Sequence, residues 1–191
     1  ASRVQCRLLP VSPGRSRHWK PPRLGPVILH LVRHGQSTWN LERRLQGQRM
    51  DVPLTELGRA QAGDAARALA AATLTAVVTS DQLRAVQTAE VIAAAARLPL
   101  VTTPLLREQG LGSLEGVRYD DLTVEPVPEG QHISEVRWGG GESVEQVHAR
   151  LRRFVSHLRA SHAPDASLAL VSHGDTLRVL LAVLEGRGHR D

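Results

Sequence analysis

Two short apolar runs in this chain, Val27 to Val32 and Leu168 to Val171, each lead into a histidine followed by a glycine: Arg33-His34-Gly35 and Ser172-His173-Gly174. Runs of this kind read as buried strands. In open α/β sheets, ligands sit just outside the carboxyl ends of the strands. Both histidines are therefore expected on one lip of a sheet. Gly35 allows the chain to turn sharply there and lets backbone approach a bound group closely.

The rest of the pattern alternates. Thr55 can cap a helix running to about Ala72, although Gly58 weakens its first turn. Strand Ala76–Thr79, helix Leu83–Ala96 and strand Leu100–Thr103 follow. A loop region rich in Pro and Gly spans Pro104 to Gly141. Ser143 then caps a helix whose apolar residues Val144, Val147, Leu151, Val155 and Leu158 recur at three- and four-residue steps. Strand Leu168–Val171 and helix Thr176–Leu184 close the chain. Strands alternating with helices imply an α/β fold, a three-layer αβα sandwich with a largely parallel central sheet.

Two more segments carry matching chemistry. Thr79-Ser-Asp-Gln-Leu-Arg84 places Arg84 near the start of a helix, where backbone N–H groups favour an anion. Leu106-Arg-Glu-Gln-Gly110 puts Glu108 at the mouth of a glycine-rich loop. A phosphate held between the two strand ends would meet two imidazoles, two guanidinium groups and a helix N-terminus. Each residue also has an ordinary reading: Arg84 a solvated helix residue, Glu108 a loop ion pair beside Arg107, His173 a core histidine.

In their order and spacing these segments resemble the histidine phosphatase superfamily, the phosphoglycerate-mutase-like branch with the Arg-His-Gly motif. The resemblance runs from about Val27 to Arg187 and takes in Trp39-Asn40, Gln46-Gly47, Pro53-Leu54-Thr55, Gln87-Thr88-Ala89, Glu115-Gly116 and Gly141-Glu142-Ser143. It implies that His34 is the nucleophile and forms a phosphohistidine. Glu108 would be general acid to the leaving alcohol, then general base to water. Arg33, Arg84 and His173 would clamp the phosphoryl group, with Asn40, Gln46 and Gly174 also lining the phosphate pocket. The physics fits these roles, since two displacements need an activated nucleophile and phosphoryl transfer depends mainly on positioning and charge. Only 65 positions separate Glu108 from His173, and Gln109-Gly110 follows Glu108. Mutases of the family carry a longer segment there and an Arg-His-Tyr after the glutamate, so a phosphatase is expected, the alternatives being a phosphoglycerate mutase or a non-catalytic phosphate-binding relative. His132 or Arg137, in the segment between, could read a second acidic group on the substrate. The chain stops 18 residues after His173, where relatives often continue, so an edge strand is expected to be missing.

The formal charge of +5 belongs to one end. Residues 1–26 hold six basic residues and no acidic one, whereas residues 27–191 hold 18 basic and 19 acidic. With five prolines, residues 1–26 read as a flexible basic extension and 27–191 as the catalytic domain. Cys6 is alone, so no disulfide framework exists within the chain. The remaining histidines show no metal-ligand spacing, so no metal or other cofactor is expected. No apolar run reaches the length of a membrane span. The expected partner is a small phosphorylated substrate in the cytoplasm, with no membrane and no nucleic acid. Oligomeric state is not legible, a homodimer being one option.

Overall fold

A computed structural model describes residues 2–6, 27–123, 125–161 and 165–191. Strands β1 (Ser2–Cys6), β2 (Val27–Arg33), β3 (Ala76–Ser80), β4 (Leu100–Thr103) and β5 (Ser167–Ser172) form one sheet in the order β1-β2-β5-β3-β4. Strands β2, β5, β3 and β4 are all parallel, and β1 lies antiparallel on the outer side of β2. The sequence pattern placed no strand before Val27. The five residues of β1 form the edge of the sheet beside β2. The rest of the basic extension lies outside the described residues.

Side-chain alternation along the central strands builds two cores. Leu168 and Leu170 of β5 face one side with Leu29 and Leu31 of β2, while Ala169 and Val171 face the other with Val32. Helices α2 (Glu56–Leu69) and α3 (Leu83–Ala96) cover the second face. Helices α4 (Val144–Ser161) and α5 (Gly174–Leu184) cover the first. This is the αβα sandwich expected from the alternation. The chain leaves the neighbouring strands β2 and β5 toward opposite faces, which opens a crevice between their carboxyl ends.

Most elements fall where periodicity put them, and α3 and β4 match to the residue. The differences have local causes. Helix α1 (Thr38–Leu41) is a single turn, closed by a capping box between Ser37 and Asn40, and is too short to show a period. Helix α2 ends at Leu69 because its last turn tightens, with Ala70 N–H bonding Arg67 O. Helix α5 begins two residues early, with His173 itself as N-cap. Among its described residues the 104–141 region contains five single 3₁₀ turns instead of open loop. Among the described residues no helix is long and apolar enough to cross a membrane.

Gly35 and Gly58 answer to each other. A Cβ on Gly58 would lie 2.0 Å from Gln36 O, and one on Gly35 would lie 2.2 Å from Gly58 O. The need for glycine is thus the contact between the His34 loop and the first turn of α2, not a sharp turn. Thr55 fixes the same contact, accepting Gly58 N–H at 3.0 Å and donating N–H to Gln36 O at 2.9 Å. Gly→Ala normally stabilises a helix by about 1 kcal/mol. Here Gly58→Ala should destabilise by about 1–3 kcal/mol through overpacking. Gly63→Ala in the same helix, where the nearest atom is Arg67 Nη1 at 3.5 Å, should stabilise. Urea denaturation of both variants checks the opposite signs.

Candidate active site

Residues at the carboxyl ends of β2, β5 and β3 converge. His34 follows β2 directly, its N–H continuing the ladder to Ser172 O at 3.0 Å. The loop behind it is held by Thr88, whose hydroxyl accepts Gly35 N–H at 3.1 Å and lies 2.8 Å from Arg84 O. The ring centroid of His34 lies 5.1 Å from that of His173, at the end of β5. His34 Nδ1 is 2.7 Å from Gly35 O. A carbonyl only accepts, so Nδ1 carries the proton and Nε2 keeps its lone pair. Burial, with Arg84 and Arg33 nearby, lowers the His34 pKa to about 3, so the ring is neutral at pH 7. Burial and the same cations lower His173 well below the usual histidine range.

Arg84 is fully buried on the first turn of α3. Its terminal nitrogens donate to Arg49 O at 2.9 Å and Gly47 O at 3.0 Å. Burial pushes its pKa down to about 10, against the pull of Glu108 and Glu115, so the charge is kept. Arg84 Nε and both ring nitrogens of His173 are buried without a hydrogen-bond partner among the described residues. Arg33 is exposed, and its guanidinium lies over Gly174, 3.6 Å from where a Cβ would be.

Glu108 is half-buried and sits against the start of α5. Its Oε1 accepts N–H from Gln109 (3.0 Å) and Thr176 (3.1 Å) and lies 2.9 Å from the Thr176 hydroxyl. Its Oε2 has one long contact, 3.4 Å from Asp175 N. The neighbouring Arg107 pairs bidentately with Asp81, holding that carboxyl below the usual range, so the loop ion pair involves Arg107 and not Glu108. Asn40 and Gln46 meet through Ser37, whose hydroxyl is 2.9 Å from Asn40 Oδ1 and 2.8 Å from Gln46 Oε1.

Other motif residues hold loops. Gln87 Oε1 accepts Leu54 N–H at 2.8 Å, and Glu115 Oε1 accepts N–H from Gln48 and Leu111. Glu142 pairs with Arg150, whose guanidinium also donates to Leu105 O and Glu108 O. Arg150 was not singled out from the sequence, yet it sits in the apolar stripe Val147, Leu151, Phe154 of α4. A charge in that phase was the available signal. His132 caps its own turn through Ser134, and Arg137 donates to the carbonyls of Gly140 and Gly141. Each is engaged within its own loop. Among the described residues no group of three or more His, Cys, Asp or Glu is placed to hold a metal.

Comparison with known proteins matches residues 29–191 to the family model described as histidine phosphatase superfamily (branch 1). The chain is 37% identical over 162 residues to "Probable phosphoglycerate mutase GpmB" of Photorhabdus laumondii, covering 83% of this chain and 74% of that one. A mycobacterial glucosyl-3-phosphoglycerate phosphatase, solved with VO3, is 33% identical with a TM-score of 0.70, covering 80% of this chain and 78% of its own. YhfR of Bacillus stearothermophilus is 31% identical with a TM-score of 0.72, covering 85% and 81%.

Proposed function

The chain belongs to the histidine phosphatase superfamily, and on that premise we propose that it is a metal-independent phosphomonoesterase. Its substrate is a small phosphorylated metabolite, a sugar phosphate or a phosphoglycerate-like ester. The observation that carries the reading is a neutral His34 whose Nδ1–H is committed to Gly35 O, next to three buried polar atoms of His173 and Arg84 that lack partners among the described residues. Buried polar groups are nearly always satisfied, and a phosphoryl group would satisfy these.

Nε2 of His34 attacks phosphorus as the ester P–O bond breaks. Arg84, Arg33 and His173 hold the phosphoryl oxygens, with the amides of Asn40 and Gln46 as further donors. Glu108 gives the departing alkoxide its proton from Oε2, since Oε1 already accepts two backbone N–H groups. Water then attacks the phosphohistidine, Glu108 takes its proton, and phosphate leaves. Burial, with Arg84 and Arg33 nearby, keeps the nucleophile neutral, and each proton in the two displacements is carried by Glu108.

The curated relatives named as mutases favour a second reading, phosphoglycerate mutase. One experiment separates the two. Phosphate release is followed in excess EDTA from an aryl phosphate and from 3-phosphoglycerate, with and without a bisphosphoglycerate primer. Release that survives chelation and needs no primer is expected. Primer-dependent formation of 2-phosphoglycerate without net phosphate would overturn the phosphatase reading.

A further inference from the structure

Gln82 lies between β3 and α3, fully buried, and the mechanism above gives it no part. Its side chain nonetheless spans two walls of the site. Nε2 donates to Gly47 O at 3.0 Å and to Arg49 O at 3.1 Å. Oε1 accepts the Glu108 N–H at 2.8 Å. The same two carbonyls, Gly47 and Arg49, receive the terminal nitrogens of Arg84.

We propose that Gln82 is a positioning residue that ties the loop of residues 46–49 to Glu108, and so sets the proton donor against the phosphate pocket. An amide suits this because it donates from one end and accepts at the other, in one plane. The carbonyl of Glu108 is gripped separately by Gln48 Nε2 and Arg150, each at 3.1 Å. The grip on its N–H comes from Gln82. Without it, the Glu108 backbone is anchored on one side only, and a part-buried N–H loses its partner. A displacement of about 1 Å at a catalytic group can cost about 10²-fold in rate.

The inference rests on Glu108 as proton donor, and leaving-group dependence tests both claims separately. A nitrophenolate departs without a proton, whereas an alkoxide needs one. The ratio of kcat/KM for glycerol phosphate to that for p-nitrophenyl phosphate therefore reports on proton donation. A purely structural lesion moves both rates equally and leaves the ratio unchanged. Gln82→Met keeps the length and removes both donor and acceptor. It should lower the ratio by about tenfold or more, within the range assigned to general acid catalysis. Gln82→Glu keeps an acceptor for the Glu108 N–H and loses both donors to the loop. One end of the tie is then cut, so the ratio should fall by less than in Gln82→Met, while inorganic phosphate inhibits more weakly. An unchanged ratio in Gln82→Met, or an equal fall of the ratio in both variants, would overturn the proposal. If Gln82→Met does not fold, Gln82→Asn draws the amide back by one methylene and is read the same way. Glu108→Gln is the control: if it leaves the ratio unchanged, the proton-donor reading fails, whatever Gln82 does.

Discussion

His34→Ala should remove phosphate release by at least about 10⁴-fold, as expected when a covalent nucleophile is lost. Two findings make the effect this large. The Nδ1–H of His34 is committed to Gly35 O, so the attacking nitrogen is already selected. His173 does not substitute, since in this mechanism its ring holds the phosphoryl oxygens and not the phosphorus. Wild-type protein quenched in base after incubation with labelled substrate should retain base-stable, acid-labile phosphate, and His34→Ala should retain none. Turnover persisting in the variant would assign the nucleophile elsewhere.

The same substitution has a second consequence, in acid. A histidine whose folded pKa is about 3 and whose unfolded value is about 6.5 binds more protons unfolded between those limits. Stability contributed by neutral His34 is therefore lost as pH falls from about 6.5 toward 3, at up to about 1.4 kcal/mol per pH unit. His173 acts in the same direction. Removing His34 should make the plot of stability against pH shallower between about pH 6 and 5, whatever the cavity costs in absolute terms. Because His34 is already neutral there, the acid limb of kcat/KM should follow the second ionisation of the substrate phosphate, near pH 6.

The legibility of this site follows from what short-range patterns encode. His34 and His173 could be read because each ends an apolar run, and the parallel pairing of β2 with β5 sets Arg33 opposite Ser172. Arg84 could be placed on the first turn of a helix, but not its burial, which depends on the Gly47 and Arg49 carbonyls brought in from a distant loop. Gln82 carried no signal, because one polar residue before a helix is ordinary. Its role arises from contacts 26 and 35 residues away. The glycines at 35 and 58 were visible, but their reason was not, since it lies in the approach of two backbones. Strand β1 pairs across a separation that no local pattern predicts.

Arg84→Met should separate function from stability. A guanidinium binding a transferring phosphoryl group is worth about 10³–10⁵ in kcat, and a loss of that order is expected with a parallel loss of vanadate and phosphate binding. The fold should not suffer in proportion. Arg84 is fully buried and makes no ion pair within 4 Å among the described residues, so its charge is desolvated at a cost that burial-lowered pKa reflects. Replacing buried ionic groups with apolar ones of similar size is often neutral or stabilising. The Gly47 and Arg49 carbonyls keep the amide of Gln82 as donor, so neither is orphaned. Tm should therefore hold or rise while activity collapses. Arg84→Lys should not restore activity, because a single ammonium cannot hold two loop carbonyls and still present a flat fork to phosphate. If Tm fell together with activity, Arg84 would be mainly a structural clamp on the 46–49 loop. If Arg84→Lys were fully active, a point charge would suffice. The expected result, a more tolerant fold with a dead site, would mark Arg84 as a cation that the fold carries at a cost because the phosphoryl group requires it.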